Sequence, residues 1–263
     1  SLVEPYKRYV FPTNGFYDND FGVIMEHIIK ELKPTPLKIA LCYPDVESGK
    51  VARRAVEEWA EFFGVSLHLE VTPSALVDVT SNVIKMKRAG ITHILIHSTA
   101  PGTVFLLKDM KKLGFNVPVF GSSATCTEDI ISIGGDISKI YVGASPYSSW
   151  YEDSPGMAQL RKISMKYNSG AKESYRIKSY VLGWVIPEIL CEGARRAGED
   201  LNGETLAAAL ETINEFDTKG LCGPITYTNT MHYGLNYNKL FRADPPTGKL
   251  IPITDWRRAP SKK

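Results

Sequence analysis

Two short stretches of this chain carry residue types that could transfer a phosphoryl or an acyl group. The first is "YPDVESGK" (43–50), where an apolar run ends in a loop and Gly49-Lys50 opens a helical pattern. A phosphate-cradling loop needs a glycine five positions before that pair and a hydroxyl just after the lysine, to reach magnesium. Pro44 and Val51 stand there instead, so nucleotide binding is excluded. Gly49 reads as the point where the backbone turns into the helix, and Lys50 as a solvated first-turn side chain. The second stretch, "FGSSATC" (120–126), approaches the nucleophile elbow of hydrolases, Gly-x-Ser-x-Gly after a strand. Gly121 and Ser123 fit; Thr125 replaces the second glycine. His97 and Asp45 also follow strands, so a serine hydrolase using Ser123 stays open as a minor alternative.

Metal chemistry finds less support. His93 and His97 have helical spacing, but the run between them reads as strand, which sets them roughly 13 Å apart at about 3.3 Å per residue. His27, His68 and His232 are isolated. The cysteines (Cys42, Cys126, Cys191, Cys222) lack C-x-x-C spacing and read as free buried thiols, with Cys191–Cys222 the pairing if a bridge forms. No metal and no cofactor is expected.

The elements that position these residues follow from hydrophobic periodicity. Apolar runs at 37–42, 66–71, 93–96, 117–120 and 140–142 are nearly continuous, as strands buried on both faces should be. Helical stripes lie between them: Val51, Ala55, Trp59, Phe62; then Val79, Val83, Met86; then Leu106, Met110, Leu113. Gly64, Gly90 and Gly114 follow these helices where left-handed caps are expected. Phe21, Ile24, Ile28 and Leu32 mark a helix before the first strand. Such alternation predicts an open parallel sheet with helices on both faces. After Ser145 the style changes. Residues 177–191, "IKSYVLGWVIPEILC", are apolar on nearly every side, which predicts a deeply buried helix, kinked or broken at Pro187. A helix at 203–213 follows, and residues from 223 onward read as hairpins.

In open parallel sheets, ligands sit beyond the carboxyl ends of the strands, where the strand order reverses. With the order 2-1-3-4-5, that point brings Asp45, Ser48, Ser98, Thr99, Ser122 and Ser123 to one crevice edge. Small hydroxyls beside helix N-termini donate well to a carboxylate or carbonyl. The plainer alternative, that each only caps its helix, stays open for any single serine.

At 263 residues with a net charge of +2 and scattered lysines and arginines, the chain shows no electrostatic footprint for nucleic acid or an anionic membrane. No apolar stretch is long enough to span a bilayer. The opening "SLVEPYKRYV" has no signal-peptide pattern, so the chain reads as cytosolic or as a processed or truncated exported protein.

A collinear series of segments resembles the later two-thirds of a type I periplasmic solute-binding protein, of the leucine/isoleucine/valine-binding branch that serves ABC transporters. The series is "KRYVFPTN", "KIALCYPDVESGKVARRAVEEWAEFFGV", "MKRAGITHILIHSTAPGTVFLLKDMKKLGFNVPVFGSS", "GDISKIYVGASPYSS", "SYVLGWVIPEILCEGARRAG" and "FDTKGLCGPITYTNTMHY". The resemblance implies two α/β lobes joined by three crossovers and closing on a ligand by hinge motion. Residues 14–145 and 236–263 would form a complete second lobe. Residues 1–13 and 146–235 would be a partial first lobe, a piece of a longer protein that alone holds ligand weakly or not at all. By position, Ser48, Thr99 and Ser123 are ligand contacts, and Tyr175 an aromatic wall. Amino-acid-binding members often carry tyrosine at the first two positions and, at the Ser123 position, an acid that pairs with the ligand's ammonium. Three small hydroxyl residues favour a carboxylic acid, an amide or a larger aromatic acid over a zwitterion, with Asp45 able to restore the balance if it points inward. The implied role is non-enzymatic: a periplasmic or extracellular component that binds a small amino acid or organic or aromatic acid in an interlobe cleft and hands it to a membrane permease. A sensor module with the same fold is the alternative.

Overall fold

The computed structural model describes residues 5–73, 78–168 and 176–262. Contacts divide the chain into a sheet unit, Tyr17–Ser145 with Asn238–Lys263, and a helical unit, Ser1–Phe16 with Pro146–Tyr237.

The sheet unit opens with α1 (Tyr17–Glu26), which runs on into a π-helical turn, His27–Leu32. Five strands alternating with four helices follow: β1 (Ile39–Pro44), α2 (Glu47–Phe63), β2 (Leu67–Thr72), α3 (Thr80–Ala89), β3 (His93–Ile96), α4 (Ala100–Lys112), β4 (Val119–Gly121), α5 (Asp129–Gly134) and β5 (Tyr141–Ser145). The sheet order is β2-β1-β3-β4-β5, all parallel, so the strand order reverses between β1 and β3 as expected. The hairpin β6 (Lys239–Asp244) and β7 (Lys249–Pro252) extends it with two antiparallel strands.

Alternation along each strand explains why the runs are apolar throughout. Ile39, Leu41 and Tyr43 of β1 face a core shared with Phe21 and Ile24 of α1, Ile28 of the π-helical turn, and Val56 and Trp59 of α2. Ala40 and Cys42 face the opposite core, with Val83 and Met86 of α3 and Val104 and Met110 of α4. Both faces of β1 are covered, so apolar residues fill the strand on either side. Gly64 and Gly90 end α2 and α3 at φ of 64° and 68°, a conformation open to glycine without steric cost.

The helical unit holds α6 (Pro155–Tyr167), α7 (Lys178–Ala197) and α8 (Gly203–Leu210), with a 3-10 turn at Gly198–Asp200 between the last two. Residues 177–191 differ from expectation. Val181, Val185, Ile189 and Gly193 form one buried stripe of α7, while Ile186 and Leu190 on other faces are exposed. Apolar composition permits burial on every side, but the described residues leave Ile186 and Leu190 uncovered. The helix also continues past Pro187 without ending. Of the expected hairpins, only β6–β7 forms; residues 216–231 hold isolated bridges, Phe216 to Ile225 and Thr228 to Met231. Gly223 sits so close to Tyr237 that a Cβ would fall 2.3 Å from that residue's own Cβ, so side-chain packing replaces a ladder there. Buried His232 stacks on Phe11 with ring centroids 3.8 Å apart, and its Nε2 lies 3.2 Å from Glu211, fastening the leading segment to this unit.

Candidate functional site

Strand register aligns the candidate residues. Cys42 of β1 pairs with Ile96 of β3, Ile96 with Gly121 of β4, and Gly121 with Gly143 of β5. The ladder continues one step further, with His97 N–H donating to Cys42 O at 3.0 Å and Ser122 N–H to Ile96 O at 3.3 Å. The next residues of each strand therefore emerge along one edge. With strands about 4.8 Å apart, the span from β1 to β4 is roughly 10 Å, the scale of a small solute.

At the β1 end, a Cβ on Gly49 would lie 1.9 Å from Pro44 O, so only glycine lets α2 start this close to the strand. Lys50 pairs with Asp45 at 3.3 Å, and both side chains are largely solvent-exposed. Asp45 is thus a surface ion-pair partner, not an inward-facing counter-charge. Ser48 is exposed in the first turn of α2.

At the β3 end, Ser98 is half-buried, and Thr99 is the N-cap of α4. The Thr99 hydroxyl oxygen accepts from Gly102 N–H at 3.3 Å. Capping uses a lone pair and leaves the hydroxyl proton to donate, so cap and ligand donor are compatible roles for this residue.

The β4 end differs from expectation. Ser123 donates both its backbone N–H and its hydroxyl to Asp20 Oδ2, at 2.8 and 2.7 Å. Asp20 stands in the first turn of α1, is fully buried, and also accepts from Asn238 Nδ2 at 3.1 Å. Burial pushes its carboxyl up to about 6 against the pull of these hydrogen bonds, with repulsion from Asp18 adding to the rise. Ser122 is buried, its Oγ 3.1 Å from His97 Nδ1. His97, packed on Tyr17 at 4.3 Å, is pushed down to about 4 by burial and stays neutral.

Two consequences follow. His97 reaches Ser122 and not Ser123, and Asp45 pairs with Lys50, so Ser123, His97 and Asp45 do not assemble as a triad. Ser123 cannot donate to a ligand while it donates to Asp20. Asp20 itself was missed in the sequence, although a signal was present: it falls on the α1 stripe at helical spacing from Ile24 and Ile28, an acid where only apolar residues pack. Tyr175 lies outside the described residues. Among those described, no three His, Cys, Asp or Glu side chains gather as a metal site requires. None of the four cysteines is in a disulfide; Cys191 is exposed and the others are buried.

A family profile described as periplasmic binding protein matches residues 3–244. No curated protein matches the chain in sequence. Among solved structures, a branched-chain amino acid ABC transporter protein from Thermus thermophilus with bound valine is 23% identical, with a TM-score of 0.82 over 95% of this chain and 68% of that one. A fatty acid ABC transporter substrate-binding protein from Thermomonospora curvata is 18% identical (TM-score 0.79, 97% of this chain, 68% of that one). A leucine-binding protein from Thermotoga maritima is 13% identical (TM-score 0.79, 94% and 68%). At these identities, each likeness establishes the fold. Members of the family and these neighbours are solute-binding proteins, not enzymes.

Proposed function

This chain belongs to the periplasmic binding protein family, and on that premise we propose that it is an extracytoplasmic substrate-binding component of an ABC transporter. Its solute is a small amino acid or an organic or aromatic acid, and its partner a membrane permease. The observation that carries this reading is the set of strand ends in register: Thr99 at α4, with Ser122 and Ser123 beyond β4, along one edge at the point of strand reversal. The α4 N-terminus, with the Thr99 hydroxyl, offers donors to a carboxylate. The solutes named for the neighbours (valine, leucine, a fatty acid) all carry one. Asp45 and Ser48 sit at the exposed margin of the same edge.

A thermal-shift panel of leucine, valine, phenylalanine and simple aromatic acids, run on the full-length protein, tests the reading. At least one member should raise the melting temperature, and Thr99→Trp, which fills the β3–β4 end, should abolish that shift; because the substitution also removes the α4 cap and lowers the free protein's own melting temperature, each shift is read against the free variant. A shift that survives Thr99→Trp would place the solute elsewhere.

A further inference from the structure

We propose that Asp20 is a specificity-determining residue: by holding the Ser123 hydroxyl as a hydrogen-bond acceptor only, it makes this edge select a ligand that presents a donor at β4 and an acceptor at β3. This deepens the proposed function and rests on it. The polarity is fixed by hydrogen-bond accounting. The single hydroxyl proton of Ser123 and its backbone N–H both go to Asp20 Oδ2, so only lone pairs remain for a ligand. Thr99 is the converse, accepting from Gly102 N–H and keeping its own proton for a ligand acceptor. These two groups sit at the ends of adjacent, paired strands, β3 and β4. A carboxylate next to an ammonium, hydroxyl or amide N–H matches that donor–acceptor pair. A 2-oxo acid, which presents acceptors at both places, leaves Ser123 facing a lone pair.

Asp20 is well built to hold this state. It is fully buried, reaches Ser123 beyond β4 and Asn238 beside β6, and no lysine or arginine makes a described ion pair with it. The negative charge behind Ser123 therefore polarises its lone pairs outward, which favours a cationic donor over a neutral one. The groups facing Asp20 are Asp18 and Tyr17 on α1, Tyr141 from β5, Ser123 from the β4 end and Asn238 before β6. Burial holds the Tyr17 and Tyr141 phenols above their ordinary range and the nearby His97 down at about 4, while it pushes Asp20 up to about 6.

Calorimetric titration with two matched series reads the effect. Each series varies only the C2 substituent: leucine, its 2-hydroxy acid and its 2-oxo acid, and the phenylalanine counterparts. In the wild type at about pH 7.5, the amine or hydroxy member of at least one series should bind about tenfold or more tighter than the oxo acid, the penalty expected for an unpaired polar contact. Ser123→Ala should erase that ratio. Asp20→Asn, which keeps an oxygen to accept from Ser123, should keep donor over oxo but reduce the ammonium's lead over the hydroxyl. Lowering the pH to about 5 should do the same to the wild type and leave the variant unchanged. A merely structural role for Asp20 would weaken all three ligands in proportion. If oxo acids bind as well as amines and still lose affinity on Thr99→Trp, the site stands and this proposal falls. If no member of either series binds, this proposal falls, and the proposed function falls with it only if the simple aromatic acids also fail to bind.

Discussion

Asp20→Asn should stabilise the sheet unit at neutral pH, although it alters a buried hydrogen-bonded residue. The carboxyl is fully buried and titrates near 6, against 3.8 when unperturbed. The native state therefore binds a proton more tightly than the unfolded chain. By linkage, its contribution to stability is fully present below the unfolded value and is lost as the pH rises through about 6. At about two pH units and about 1.4 kcal/mol per unit, ionised Asp20 costs the native state about 3 kcal/mol at neutral pH. Asparagine removes that charge and keeps the partners. Its Oδ1 accepts from Ser123 as before, and its amide N–H faces Asn238, whose Oδ1 is buried with no hydrogen-bond partner in the structure. A flip of the Asn238 amide supplies the acceptor. The measurement is hydrogen exchange of the slowest amides of β1 and β3, which report unfolding of this unit alone. The variant should gain up to about 3 kcal/mol over the wild type at about pH 7.5, and the gain should vanish below about pH 4. A loss of stability in the variant at neutral pH, or a difference that does not change with pH, would refute the reasoning.

Other outcomes follow from packing. Gly22→Ala should cost about 1–3 kcal/mol in thermal or denaturant unfolding, because its Cβ would fall 2.5 Å from Ala259 Cβ and 2.6 Å from the Trp59 ring. A thiol reagent should label Cys191 quickly in the native protein and the other three cysteines only on unfolding; burial holds the Cys222 thiol up at about 12, far from its reactive thiolate. On α7, Ile189→Ala should destabilise the helical unit by about 2–4 kcal/mol while exposed Leu190→Ala changes it by less than about 1 kcal/mol, since only the first opens a cavity. Similar costs at both positions would show that the outer face of α7 is covered.

The sheet was legible because its signal is local. A strand dry on both faces is apolar at every position, as at 39–43 and 94–96, and the chain order of strands and helices then leaves few topologies. The strand ends were legible for the same reason, since β1, β3 and β4 had to finish near Pro44, Ile96 and Gly121. The polarity of the site was not. Whether Ser123 donates or accepts depends on Asp20, 103 residues away in the chain, and whether Asp45 turns inward depends on its neighbour Lys50. A hydroxyl's direction is set by its partner, and residue type alone does not name that partner. For α7, composition told how apolar the helix is but not how much of it neighbouring chain would cover.

Hydrogen exchange of the protein saturated with whichever panel member stabilises it most would test the strand-end site directly. Slowed exchange should appear at 97–103 and 121–126, beyond β3 and β4, with β7 unchanged. Protection confined to α6 and α7, with those strand ends exchanging as in the free protein, would contradict it.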